Sequence, residues 1–447
     1  PLSCGTAHTD ARFAPYGGGP QVSASAGVTI LPVPPATLCA PPPFAPRVET
    51  VTPTHRAGRS TSFSATVRRS QGEQLPSRLS MTLPAGLSAR LGALQQCPTG
   101  AAAAACPLAS QMGSVVAQIG SGPSSATLHG RMYITGPYRR APFGVLIEIP
   151  AVVGPFDLGT LALRGGAELD PRSGRLTVST DRLPAAVEGV PVRFQTIELS
   201  MDRAGLIRNP TNCSPSDTSI RLESQEGATA SLSSPFQARG CGRLGFRPEI
   251  RMTLLGRKQL RRHGRPGLLA TVRLHPGDAN LRAVKMSLPE ALGFSLGGLE
   301  EICSRRDASA GECPAASRIG SAKAHSSLLG EPLEGAVYVA QPRGTGLPDI
   351  WTSLSGGGIE VSLPGELVTR KGGTAIELTG LPDLPLTSLA MRLRPGGHGP
   401  LSLEVSPCRR GEPRRLSAPV LLAGQNAKRR SLEARLGMKV HCRAGSG

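Results

Sequence analysis

Met81-Thr-Leu-Pro84 and Met286-Ser-Leu-Pro289 open the two stretches that decide the fold. From each start the match runs on without a gap: Leu87 answers Leu292, and Leu91-Gly-Ala-Leu94 answers Leu296-Gly-Gly-Leu299. A cysteine follows in each copy, Cys97 and Cys303. Next, Cys106-Pro-Leu-Ala-Ser-Gln-Met-Gly-Ser114 stands against Cys313-Pro-Ala-Ala-Ser-Arg-Ile-Gly-Ser321, and Leu128-His-Gly-Arg-Met-Tyr133 against Leu333-Glu-Gly-Ala-Val-Tyr338. Upstream, Ala65-Thr-Val-Arg68 matches Ala270-Thr-Val-Arg273. Self-similarity at a fixed period is the mark of a tandem array, in which each copy is one structural unit.

The cysteines set the period. Cys39, Cys241 and Cys442 fall 202 and then 201 residues apart. This predicts a first unit over 43–241 and a second over 242–442, with a tail at 443–447. Residues 1–42 read as the closing segment of a preceding or incomplete unit, because Cys4 to Cys39 parallels Cys213 to Cys241 and Cys408 to Cys442. Each unit is expected to divide at its first disulfide into β-subdomains, 43–96 and 107–241 in one, 242–302 and 314–442 in the other. Connectivity does not follow from cysteine positions alone, but a repeat demands the same local pairing in each copy. The expected bonds are Cys4–Cys39, Cys97–Cys106, Cys213–Cys241, Cys303–Cys313 and Cys408–Cys442, each adding ~3 kcal/mol by restricting the unfolded chain. They imply an oxidising, extracytoplasmic setting.

Strand signals dominate between the cysteines. Ser62-Phe-Ser-Ala-Thr-Val-Arg68 alternates with period two, which puts Phe63, Ala65 and Val67 on one face. Phe143 to Ile149 reads as a buried strand, and Val192 to Met201 and Leu386 to Leu393 as long alternating ones. Arg175 to Thr180 follows the turn-forming Asp170-Pro-Arg-Ser-Gly174, with Thr374 to Leu378 as its counterpart. Leu416 to Leu422 and Leu432 to Val440 are the apolar stretches of a closing segment. One short helical piece is expected, around Gly100 to Ala105. The chain has 55 glycines and 42 prolines but only 3% aromatic residues, so the expected cores are thin and aliphatic. The predicted class is all-β: tandem, disulfide-stapled, β-sandwich-like repeats of about 200 residues.

Three further runs carry a resemblance. Met132-Tyr-Ile-Thr-Gly-Pro-Tyr-Arg-Arg-Ala-Pro-Phe-Gly144, Ile149-Pro-Ala-Val-Val-Gly-Pro-Phe-Asp-Leu-Gly159 and Asn209-Pro-Thr-Asn-Cys-Ser214 are similar to segments of uncharacterised large secreted β-repeat proteins of high-GC soil actinobacteria. The resemblance implies extracytoplasmic location and multiple units, and it carries over no functional residue.

Charge excludes some partners and suggests others. The net charge is +19, and only six of the 50 basic residues are lysines, the first being Lys258. Arginine codons are GC-rich, so genome composition accounts for much of this bias. A lysine–asparagine cross-link is therefore impossible in the first unit. The alternative reading is attraction to an anionic cell-envelope polymer. Nucleic acid is not an expected partner: single-strand binders use aromatic stacking platforms, and Trp351 is the sole tryptophan. Arg251, Arg257, Lys258, Arg261, Arg262 and Arg265 form a candidate polyanion-binding patch, or else a charged hairpin tip that discourages edge pairing. No apolar run is long enough for a transmembrane segment. The chain begins with proline, which suggests a processed or truncated product.

No catalytic residue, metal ligand or cofactor is expected. Gly293-Phe-Ser-Leu-Gly297 fits the hydrolase pattern G-x-S-x-G, but the matching stretch of the first unit, Gly86-Leu-Ser-Ala-Arg90, breaks it. Glu148 and Asp157 form the one carboxylate pair placed to converge. Asn212-Cys-Ser214 fits a glycosylation acceptor whose cysteine is expected to be bridged. The expected role is therefore non-enzymatic. The expected protein is an extracellular structural repeat protein that assembles head to tail with itself, through β-strand contacts, into a cell-surface or extracellular filament or coat. The alternative is a surface adhesin or binding module for an anionic or carbohydrate polymer.

Overall fold

Period-two alternation becomes barrel wall along most of the chain. The computed structural model describes residues 5–30, 42–98, 106–120, 125–295, 297–298, 301–342, 344, 347–370 and 373–442. A terminal hairpin joins β1 (Gly5–Phe13) to β2 (Val22–Ile30). The first unit then contributes β3 (Arg47–Val51), β4 (Phe63–Arg68), β5 (Pro76–Thr82), β6 (Gln111–Ile119), β7 (Ala126–Thr135), β8 (Phe143–Val153), β9 (Phe156–Leu169), β10 (Leu176–Thr180), β11 (Phe194–Met201), β12 (Ser216–Ser224) and β13 (Thr229–Phe236). The second contributes β14 (Glu249–Leu255), β15 (Gly267–Arg273), β16 (Leu281–Ser287), β17 (Arg318–Ser326), β18 (Leu333–Ala340), β19 (Asp349–Gly356), β20 (Ile359–Arg370), β21 (Gly373–Leu378), β22 (Leu386–Leu393), β23 (Ser417–Gly424) and β24 (Arg429–Gly437). The chain is all-β and disulfide-stapled; its one α-helix among the described residues, α1 (Arg305–Ala310), is six residues long.

The two sheets share one topology. The first runs β3-β4-β11-β6-β7-β8-β9-β10-β5-β12-β13, and the second runs β14-β15-β22-β17-β18-β19-β20-β21-β16-β23-β24. Adding eleven to each label of the first order gives the second. Neighbours within each order are antiparallel, so with an odd number of strands the first and last must point the same way. The second sheet accordingly closes through a parallel pairing, Met252 with Leu436 and Thr253 with Gly437. In the first, β3 meets β13 through the Thr50 hydroxyl, which donates to Ser234 Oγ at 2.8 Å. Closure matters because an open edge presents unpaired backbone groups to any passing strand.

The repeated methionine shows why sequence match and structure match coincide. Met81 on β5 lies between Val178 and Ile220, and Met286 on β16 lies between Ile376 and Val420. Both are buried, as are Phe63, Ala65 and Val67 on β4. With so few aromatics, the interior is filled by Leu, Ile, Val and Ala, and the buried aliphatic side chains of both units form one continuous cluster. Each large one contributes roughly 1.5–3 kcal/mol.

Cys97–Cys106, Cys213–Cys241, Cys303–Cys313 and Cys408–Cys442 are bonded. Cys4 and Cys39 lie outside the described residues. Cys97 and Cys303 also make equivalent parallel bridges, to Thr135 at the end of β7 and to Ala340 at the end of β18.

The segments before and after the first disulfide are not separate subdomains. β4 pairs with β11, and β5 sits between β10 and β12, so 43–96 and 107–241 are interleaved in one sheet. The same holds for 242–302 and 314–442, where β15 pairs with β22 and β16 sits between β21 and β23. Two or three strands cannot cover an apolar face alone, so the early strands insert among the late ones. The helical piece expected at Gly100 to Ala105 lies outside the described residues. In the corresponding loop of the second unit, α1 is capped by Ser304, whose hydroxyl accepts from the Asp307 amide, and ends at left-handed Gly311.

Asp170 closes the β9–β10 hairpin. Its Oδ1 accepts from the Ser173 hydroxyl and amide, both at 2.6 Å, and from the Arg172 amide at 3.2 Å. The Ser173 hydroxyl first, then the Ser173 amide, hold its carboxyl below the usual carboxylate range. A depressed folded pKa contributes stability above the unfolded value of ~3.9, and this is lost as pH falls through the folded one. Asp170→Ala should cost about 1 kcal/mol at neutral pH, and the difference from wild type should shrink in acid. Urea unfolding at neutral and acid pH checks this; a gap that widens in acid would contradict it.

Candidate functional site

The residues singled out in the sequence do not converge. Arg251 is exposed on β14, and Arg257, Lys258, Arg261 and Arg262 are exposed in the β14–β15 connection. Arg265 is different: its guanidinium donates to the Gly397 carbonyl at 2.7 Å and its amide to Gln259 Oε1 at 3.1 Å. It pins this loop to the barrel rather than joining a free patch. Gly293 and Phe294 lie in a short strand paired with Leu401–Leu403, so Ser295 follows an edge pairing instead of a strand-to-helix elbow. Glu148 faces Ala162 across the ladder while Asp157 faces Val152, four residues further along β8, roughly 13 Å away. Asp157 Oδ1 instead accepts from the Gly159 amide at 2.9 Å. Asn212 Oδ1 accepts from the Ser214 amide at 2.8 Å, and Cys213 is bridged, so this tripeptide is built into a turn. Among the described residues, no group of three or more His, Cys, Asp and Glu side chains is placed to hold a metal ion.

What the fold does bring together is the junction between the barrels. The β7–β8 and β9–β10 connections mark one end of the first barrel, the upper end. They meet the β17–β18 and β19–β20 connections, which mark the opposite, lower end of the second. The two units are thus stacked end to end in the same orientation. Across the junction the Ser362 amide donates to the Pro171 carbonyl at 3.4 Å and Arg90 Nε to the Ser327 carbonyl at 3.2 Å. Leu87, Leu91 and Phe143 face Leu328, Leu329 and Leu384 around a residual void of about 50 Å³.

One buried carboxylate locks this contact. Asp383, in the connection leading to β22, is only 9% exposed. Its Oδ2 accepts from the Thr211 and Asn212 amides of the first unit at 2.7 and 2.8 Å. Its Oδ1 accepts from the Thr211 hydroxyl at 2.6 Å and from Asn280 Nδ2 at 2.8 Å. The Asn280 amide in turn donates to Thr211 Oγ1 at 3.0 Å. Burial pushes the Asp383 carboxyl up, more than the four donors pull it down. The approach requires Gly86: its φ is +77°, and a Cβ there would lie 2.7 Å from Pro210 and 2.9 Å from Asp383. Sequence reasoning passed over Asp383. Its one signal is an acid set inside the apolar, proline-bracketed run Leu381-Pro-Asp-Leu-Pro385.

Both ends left over expose apolar side chains, and the upper end of the second barrel also carries the basic β14–β15 connection. Val152, Phe156 and Val190 are exposed at the lower end of the first barrel, and Ile302 and Leu347 at the upper end of the second. The β1–β2 hairpin pairs with no other strand among the described residues, and it exposes Phe13, Tyr16, Val22 and Val28. In both barrels a hairpin of similar length, β12–β13 or β23–β24, ends the sheet order.

No helix of the described residues is long and apolar enough to cross a membrane. No family model matches the sequence, and no curated protein matches it. Among solved structures, the type II cohesin dyad from the adaptor ScaA scaffoldin of Acetivibrio cellulolyticus aligns over 90% of this chain and 98% of its own, at 9% identity. The TM-score is 0.18, so the likeness carries no argument about this chain.

Asp383→Ala strands four donors at the junction and should cost about 3 kcal/mol or more. Wild type should unfold in one transition, which should split in two in the variant as the barrels lose their coupling. Denaturant unfolding followed by calorimetry reads both effects, and an unchanged single transition would show that the carboxylate does not hold the units together.

Proposed function

We propose that the chain is an extracellular structural protein, a non-enzymatic building block whose barrels stack end to end into a filament or coat. One observation carries the reading. Eleven large apolar side chains are exposed among the described residues, and nine of them lie on the two free barrel ends or the terminal hairpin. Val51 and Leu108 are the other two. Such gathering marks surfaces that other protein covers. The internal junction supplies a pattern for that cover, since it joins the upper end of one unit to the lower end of the next. A contact between two different surfaces does not close on itself and propagates. The β1–β2 hairpin adds a second means of joining, because its unpaired edges can extend another copy's sheet. Four disulfides support an oxidising, extracytoplasmic location.

Three forms of the protein test the proposal by sedimentation and negative-stain microscopy: the full chain, a deletion of residues 1–40, and V152D/F156D. The full chain should form end-to-end oligomers whose length grows with concentration. Each alteration should shorten them, and V152D/F156D should keep the wild-type melting temperature, since both side chains are exposed. Monomers throughout, or identical assemblies from all three, would overturn it.

A further inference from the structure

Beside the apolar part of the junction lies an open cleft of about 940 Å³ with an unusual lining. Arg56, Arg59, Arg208, Arg239, Arg243 and Arg247 all border it, and Asp278 is the one acid among the lining residues. Asp278 is already committed: its carboxylate accepts from the Arg247 guanidinium and amide. With Asp278 paired to Arg247, the other five guanidinium groups face no further carboxylate among the lining residues, and like charges gathered together repel.

The backbone forces this crowding. Arg56 and Arg239 are partners in a parallel bridge, in which the Ala57 amide donates to the Arg239 carbonyl at 2.9 Å and the Arg239 amide to the His55 carbonyl at 2.7 Å. Bridge partners put their side chains on the same face. Left-handed Gly240 then turns the chain into the short 3-10 turn that carries Arg243. From the other wall, Arg208 Nε donates to the Gly58 carbonyl at 2.9 Å, which fixes the guanidinium at the edge of the cleft. Burial, then Arg59 and Arg90, hold Arg208 below its ordinary pKa, with Asp383 opposing.

We propose that this cleft binds a phosphate-bearing anion, which bridges the two barrels at their junction. Guanidinium forks converging from three chain segments suit a compact group with several charges and several acceptor oxygens, to which arginine donates in bidentate pairs. A sugar ring would want a free aromatic face. The lining offers only the His55 ring, and that ring is stacked on Phe236 at 5.4 Å. The site also has a counterpart. The β14–β15 connection, with Arg257, Lys258, Arg261 and Arg262, holds the same place in the second barrel as the β3–β4 connection, with Arg56 and Arg59, holds in the first. The proposal does not depend on assembly, since a monomer contains the complete cleft.

The test uses the full chain and R56Q/R239Q, whose side chains are exposed and bond to nothing the fold needs. Probes are inorganic tripolyphosphate, a glycerol-phosphate polymer and polygalacturonate at equal charge, in about 150 mM salt to suppress unspecific attraction. Calorimetric titration should show tripolyphosphate binding to wild type, weakened at least about tenfold in the variant. Without anion the variant should melt at the same temperature or higher, and it should lose the upward shift that tripolyphosphate gives wild type. Glycerol-phosphate polymer binding as well would point to a polymeric source, and tripolyphosphate alone to a free one. Equal affinity in the variant, or polygalacturonate binding as tightly as the phosphates, would overturn the proposal.

Discussion

Closure of the sheet is the constraint from which the rest follows. A chain with 3% aromatic residues cannot build a thick core, so it wraps a long sheet round a thin aliphatic one. The sheet must then meet itself or leave two edges bare. Eleven strands joined by ten antiparallel pairings make the closing strands parallel, and the second barrel supplies that pairing between β14 and β24. The early strands cannot stand alone under this constraint. They wait for later ones, which is why β4 and β5 lie among strands drawn from the far side of the disulfide loop.

The second sheet is closed and the edges of the first nearly meet, so the barrel ends are the main surfaces left for contact, and the junction uses them. Its apolar floor, from Leu87 to Leu384, is shared by both units. Its polar lock is a single carboxylate with four donors from two segments, Thr211–Asn212 and Asn280. An apolar floor alone would tolerate sliding or rotation. Asp383 removes that freedom, because its four hydrogen bonds hold the second unit at one position against Thr211 and Asn212 of the first. Removing one member of such a set leaves the others buried without partners, which makes the lock specific as well as strong.

Much of this was legible in the sequence, and the reasons for the rest are physical. The repeat, its period and the local disulfides rest on identity and spacing, and the strands on alternation, as in Phe63, Ala65 and Val67. Sheet order was not legible. β4 pairs with β11 across more than a hundred residues, and alternation says which face is buried but never which strand lies alongside. Asp383 and Thr211 are far apart in sequence and meet only once both barrels exist. The basic tract at Arg257 to Arg262 was visible because it is contiguous. The arginine cleft was not, since Arg56, Arg208 and Arg239 are gathered by folding.

The two units point the same way along their common axis, so the chain is a vector. One tip carries the first barrel's lower end, the other the second barrel's upper end. Any row built by repeating this contact inherits that direction and has two chemically distinct tips. Subunits would add at the two tips with different rates, and a cap fitting one tip would have no effect on the other. A row of this kind grows from a defined base, as a row of symmetric dimers cannot.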